Sequence, residues 1–103
     1  MIKLAGKISK IFEKEVRGSG DNPFVKRRFW LDEVSDKYPC AWELELWKED
    51  CPMLDNFNEG DFVTCYVDIK GQQWSGKDGV DRRTMTLKCW NFEKDGKAIK
   101  EIK

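Results

Sequence analysis

The sequence predicts an all-β fold, and three observations carry the prediction. Apolar and polar residues alternate with a period of two along five stretches, as in strands buried on one face. Clusters of Gly, Pro, Asn and Asp punctuate those stretches. The alternation fails once, over residues 49–59, where a short apolar stripe of helical spacing replaces it.

In the first stretch Ile2, Leu4, Gly6 and Ile8 alternate with Lys3, Ala5, Lys7 and Ser9. Ile11 and Phe12 then bring a change of parity, which predicts a bulge near Ser9 and Lys10, with Gly6 as a second bending point. Residues 15–24 read as a loop, because Gly18, Ser19, Gly20, Asp21, Asn22 and Pro23 are all turn formers. The second strand covers residues 25–34. Val25, Phe29 and Leu31 share one face with Arg27, while Lys26, Arg28 and Trp30 share the other. A turn at residues 35–39 leads to a third strand at residues 40–48. There Cys40, Trp42, Leu44 and Leu46 form the apolar face, opposite Ala41, Glu43, Glu45 and Trp47.

The helix begins near Asp50, Cys51 and Pro52, presents Met53, Leu54 and Phe57, and ends at Asn58 and Gly60. The fourth strand, residues 62–70, points Val63, Cys65, Val67 and Ile69 inward. A second loop with three glycines follows at residues 71–81, with Trp74 in its middle. The fifth strand, residues 82–92, places Arg83, Met85, Leu87 and Cys89 on one parity and Lys88 and Trp90 on the other. Residues 1–92 thus make one domain, and residues 93–103 a basic tail, frayed or weakly helical.

Three strands, a short helix and two more strands are the element order of the five-stranded OB-fold Greek-key barrel. An SH3-like barrel is the competing arrangement, but it lacks a helix at that place. A chain of 103 residues is long enough to bury such a core without metal or disulfide support.

Formal net charge is zero, yet the charge is unevenly spread. Residues 1–28 hold eight Lys/Arg against three Asp/Glu, and residues 43–61 hold seven acids against one Lys. Local field steers a ligand more than the sum does. No run is apolar enough to span a membrane and the first residues carry no apolar signal region, so a cytoplasmic protein is the default expectation. Histidine is absent and Cys40, Cys51, Cys65 and Cys89 form no Cys-x-x-Cys, so free thiols and no metal or other cofactor are expected. No Gly-rich phosphate loop or nucleophile elbow occurs, so the chain does not read as an enzyme.

The outward faces of strands two, three and five offer Lys26, Arg28, Trp30, Trp47, Lys88 and Trp90, and the two loops add Arg17 and Trp74. Cations beside flat aromatics suit a partner with phosphates and bases, which is single-stranded nucleic acid. Glu43 and Glu45 oppose this reading. They share the Trp47 face and can pair with Lys26 and Arg28 across strands, making a solvated ladder instead of a site.

The segments Lys26-Arg27-Arg28-Phe29-Trp30-Leu31, Tyr38-Pro39, Glu45-Leu46-Trp47, Phe57-Asn58-Glu59-Gly60-Asp61, Trp74-Ser75-Gly76 and Lys88-Cys89-Trp90, taken in order, resemble the single-stranded-DNA-binding-protein-like OB domains. The chain looks closest to a small bacterial and phage family catalogued as a domain of unknown function. The resemblance spans roughly residues 1–92 and implies a ligand crossing strands two and three, flanked by residues 15–24 and 71–81. It also implies replication or recombination proteins as partners. The acidic tip by which many such proteins recruit partners is not matched by Lys97-Ala98-Ile99-Lys100-Glu101-Ile102-Lys103.

Two functions follow as expectations. One is non-sequence-specific binding of single-stranded DNA, with RNA as a variant, in replication, recombination or repair. The other is an OB-fold protein-interaction or oligomerisation module, whose exposed aromatics form a self- or partner interface; it predicts oligomers, homo-oligomers among them, that bury Trp30 or Trp47 without nucleic acid.

Overall fold

Alternating residues become strands, and where the alternation shifts parity the strands bulge. The computed structural model describes residues 2–18, 20–21, 23–34 and 37–100. Their elements are β1 (Ile2–Ile11), β2 (Glu15–Arg17), β3 (Phe24–Asp32), β4 (Ala41–Trp47), β5 (Phe62–Ser75), β6 (Asp81–Lys94) and β7 (Lys97–Ala98). A 3-10 helix, Lys48–Asn56, joins β4 to β5. The predicted turn at residues 35–39 and loop at residues 15–24 fall partly outside the described residues, as does the end of the tail.

The five long strands form a ring. Pairing runs β1–β5–β6–β4–β3, and β3 returns to β1. All these pairs are antiparallel except β4 with β6, which meet in parallel at Glu45 and Lys88. This is the OB arrangement that the element order predicts.

The inward parity builds the core. Ile8, Phe29, Leu31, Leu44, Leu46, Cys65, Val67, Cys89 and Phe92 are fully buried. Phe92 links two elements, with its ring 5.4 Å from Phe29 and 4.9 Å from Phe57. The helix covers one end of the ring through Cys51, Met53 and Leu54.

The predicted bulge lies where the parity changes: Ile8 pairs with Leu31 and Lys10 with Trp30, leaving Ser9 unmatched. Gly6 is needed for a close approach, since a Cβ there would collide with the Asp32 carbonyl of β3. Gly60 takes φ +101° in the turn before β5, and its N–H donates to the Ile8 carbonyl at 2.7 Å. Both glycines help hold the end of β1 against its neighbours.

Several expectations are corrected. Residues 15–17 are not loop but β2, which pairs with β3 from Glu15–Lys26 to Arg17–Phe24. Residues 71–75 and 81 are not loop either. β5 and β6 stay paired from Ile69–Leu87 out to Ser75–Asp81, forming a long two-stranded arm. Ile69 and Met85 therefore lie on the apolar parity yet are exposed, because the arm extends beyond the core. Cys40 precedes β4 and is exposed rather than on its apolar face.

Residues 93–98 do not fray or coil. β6 continues to Lys94 and pairs with β7. A second bulge precedes the anchor: Tyr66 pairs with Asn91 and Val67 with Cys89, so Trp90 is skipped and Phe92, opposite Cys65, takes the inward parity, while Asn91 is buried opposite Tyr66. The Asn91 Oδ1 accepts from the Lys100 backbone N–H at 2.9 Å, and its Nδ2 donates to the Lys100 carbonyl at 3.0 Å. The Lys100 ammonium pairs with the Asp50 carboxylate of the helix. Among the described residues, no helix is long and apolar enough to cross a membrane.

Candidate nucleic-acid interface

The outward parity of β3 and β4 carries the candidate site. Antiparallel register sets Lys26 opposite Trp47, Arg28 opposite Glu45 and Trp30 opposite Glu43. From the other side, β1 brings Lys10 opposite Trp30. Cations and aromatics therefore alternate across the sheet and not only along one strand.

Two aromatic stations result. In the first, Phe12 meets Trp30 edge-on, with ring centroids 5.2 Å apart. The Lys10 ammonium lies 4.9 Å from the Phe12 ring and 5.4 Å from the Trp30 ring, and the Arg28 guanidinium lies 5.0 Å from Phe12. In the second, Phe24 meets Trp47 edge-on at 5.5 Å and the Lys88 ammonium sits 5.1 Å from the Trp47 ring. Trp30 is 41% exposed. Trp47 is half-buried.

Carboxylates orient this face. The Trp30 indole N–H donates to Glu43 at 2.9 Å, and the Trp47 N–H to Glu45 at 3.0 Å. These bonds hold each ring at its edge, while Lys10 lies over the Trp30 ring and Lys88 over the Trp47 ring. Arg28 donates to Glu15 at 3.0 Å and to Glu43 at 3.4 Å. The register partner Glu45 is thus not its ion-pair partner. Arg17 pairs with Glu15 at 3.3 Å. Burial works against the charge of Glu15, but the Arg17 hydrogen bond and the Arg28 charge outweigh it and hold the carboxyl below its ordinary value. Lys26 and Lys88 form no ion pair among the described residues. Around the two indoles, Lys10, Arg17, Lys26, Arg28 and Lys88 are interleaved with Glu15, Glu43 and Glu45, with Asp68 opposite Lys88 and Asp32 beside Trp30, so both signs of charge share the face.

The arm adds a third group. Trp74 is 47% exposed and pairs across the ribbon with Arg82, whose guanidinium lies 5.1 Å from its ring. Asp78 binds Arg82 at 2.7 Å.

Of the residues singled out from sequence, the structure gathers Arg17, Lys26, Arg28, Trp30, Trp47 and Lys88 on one face and puts Trp74 on the arm. Trp90 is not brought to this group. Its ring meets Tyr66 edge-on at 5.4 Å, and its indole nitrogen is buried. Sequence reasoning missed Lys10 and Phe12 as members of the first station. The signal was present in the parity change at Ser9, which turns the following residues toward the neighbouring strand. Phe24 was visible only as a residue at a loop base.

The family model described as Domain of unknown function (DUF3127) matches residues 3–93. The chain belongs to this family. Among solved structures, the DUF3127 domain is similar to the mitochondrial single-stranded DNA-binding protein of S. cerevisiae, with a TM-score of 0.62 at 15% identity, covering 89% of this chain and 90% of that one. It is also similar to the small single-stranded DNA-binding protein of Streptomyces coelicolor, with a TM-score of 0.53 at 14% identity, covering 91% of this chain and 92% of that one. At these identities the likeness shows the fold. No match was found among curated protein sequences.

Proposed function

We propose that this DUF3127 domain binds single-stranded DNA without sequence preference, across the outer face of β3 and β4. The observation that carries the reading is the pair of aromatic stations, each with a cation within 5.4 Å of its indole. Bases stack on Trp30 and Trp47, while Lys10, Lys26, Arg28 and Lys88 hold phosphates. Arg17 on β2 and Trp74 on the arm extend the path on either side. Stacking accepts any base, so affinity arises without hydrogen-bond readout. The two structural neighbours described by name as single-stranded DNA-binding proteins support the same reading. The role is binding and not catalysis, in replication, recombination or repair in the cytoplasm. RNA is the alternative strand, and replication or recombination proteins are the partners in this reading.

The test is tryptophan fluorescence titrated with oligo-dT, oligo-rU and duplex at low and high salt. Oligo-dT should quench more than duplex, and less as salt rises. Absence of quenching at low salt with micromolar protein would falsify the proposal.

A second reading has its own support: Arg28, Trp30 and Trp47 already have carboxylate partners within the chain. In that reading the face is a protein-interaction surface whose assembly buries Trp30 or Trp47. Changing both to Ala separates the two. Lost oligonucleotide binding at unchanged mass supports the first reading, and lost assembly alone supports the second.

A further inference from the structure

A cavity of about 280 Å³ lies at the helix end of the ring, and no residue of the two aromatic stations lines it. Three cations from three separate segments do: Lys14 just before β2, Arg27 of β3 and Lys48 at the start of the helix. Arg27 stands on the parity of Phe29 and Leu31, where β3 otherwise buries apolar side chains, and its side chain is only 21% exposed. Its Nε donates to the Phe12 carbonyl at 3.2 Å and its Nη1 to Asp55 at 2.8 Å, which leaves Nη2 without a partner among the described residues. Lys14 and Lys48 form no ion pair among the described residues.

Asp55 is the one carboxylate in the lining, so three cations against it leave a surplus of two positive charges. Of the acids nearby in sequence, Asp50 is paired with Lys100, and Glu13 and Glu49 do not line the cavity. The Cys51 thiol donates to the Leu46 carbonyl at 3.3 Å. Burial pushes this thiol up, while the charges of Arg27 and Lys14 pull it the other way, so both cations act on the same buried point. The corner from β4 into the helix holds Lys48 at φ +51°, a region that favours glycine, yet the chain places a lysine there.

We propose that this cavity binds the terminal phosphate of a nucleotide, a phosphate monoester. Such a group carries a charge of about −1.5 to −2 at neutral pH and three acceptor oxygens, which matches the surplus charge and the three converging cations. The planar guanidinium fork suits two of those oxygens, and the ammonium groups act as point charges on the rest. A carboxylate or an internal phosphodiester brings less charge and fewer free oxygens. Val25 and Pro52 give the attached sugar an apolar wall. Val25 follows Phe24 and Lys48 follows Trp47, so the cavity begins one residue beyond the second station on both strands. A free mononucleotide and the phosphorylated end of a strand both supply this chemistry. The first needs nothing from the proposed strand binding, whereas the second rests on it.

Amide chemical shifts of the whole chain, titrated with dTMP and with thymidine at low salt, test the proposal. Millimolar dTMP should shift the amides around Lys14, Arg27 and Cys51, and thymidine should not. Lys48→Gly, which suits the backbone there, and Lys14→Ala, at an exposed position, should keep the fold and each weaken dTMP binding by about tenfold. No shift with dTMP, an equal shift with thymidine, or a shift indifferent to both substitutions overturns the site. A phosphoserine peptide that acts at lower concentration than dTMP overturns the nucleotide assignment. The source is read by comparing oligo-dT with a 5′-phosphate and with a 5′-hydroxyl. Tighter binding of the phosphorylated strand by about tenfold, lost in Lys48→Gly, assigns the strand end; equal binding with dTMP retained assigns the free mononucleotide. If oligo-dT fails to quench tryptophan while dTMP still shifts these amides, strand binding falls and this site stands.

Discussion

The ring and the arm share two strands, β5 and β6, which obey opposite physics in the two regions. From Val63 to Val67, β5 buries alternate residues against Phe29, Leu44 and Cys89. From Ile69 to Ser75 the same strand is exposed at every position. The alternation does not stop at the boundary; the opposing layer does. Apolar residues in the ring therefore hold the fold, whereas apolar residues on the arm contribute little to it and are free to meet something else.

The largest expected contrast is in stability. Phe29→Ala empties a fully buried site against Phe92 and should cost about 3–5 kcal/mol. Met85→Ala on the arm should stay within about 0.5 kcal/mol. Urea denaturation of both variants measures the difference, and equal losses would mean that the arm is part of the core.

Next comes affinity. On the proposed function, Trp30→Ala removes a stacking surface on the ring and should weaken oligo-dT binding by about 1–3 kcal/mol. Trp74→Ala on the arm should weaken it less, because Trp74 stands alone with Arg82 while Trp30 is held by Phe12, Lys10 and Glu43. A larger effect at Trp74 would reverse the assignment of the main path.

The smallest contrast is in the acid limb of stability. Asp61 lies beside the ring, where the Asn58 N–H first, and the Lys94 ammonium after it, hold its carboxyl below the ordinary 3.8. Asp78, in the arm turn, is lowered by Arg82 and the Val80 N–H. A depressed carboxyl stabilises the fold above its unfolded pKa, and that contribution is lost as pH falls through the lower folded value. Asp61→Asn should therefore flatten the loss of stability below about pH 4. Asp78→Asn should hardly change it if the arm opens without the ring. Denaturation midpoints at neutral and acid pH compare them.

Much of the ring was legible. Val25, Phe29 and Leu31 against Lys26, Arg28 and Trp30 is an alternation that any half-buried strand must show, and the parity change at Ser9 marked the bulge. The arm was not legible, because glycines and polar residues suit an exposed ribbon as well as a loop. Trp74 was thus placed in a loop when it faces Arg82 across a ladder. The site was legible as a set of residue types on one face. Its pairings were not: Arg28 stands in register with Glu45 but binds Glu15 and Glu43, since a long side chain reaches diagonally to whichever carboxylate is free.

By itself the sequence determined the inward parity of β1, β3 and β4, where β1 bulges and that a helix interrupts the strands, because these depend on spacing along the chain. Only the tertiary structure decided where the core ends along β5 and β6, which carboxylate holds Arg28, and that Trp90 leaves the group that Trp30 and Trp47 share. Those outcomes depend on what the neighbouring strand places opposite, and no local spacing records it.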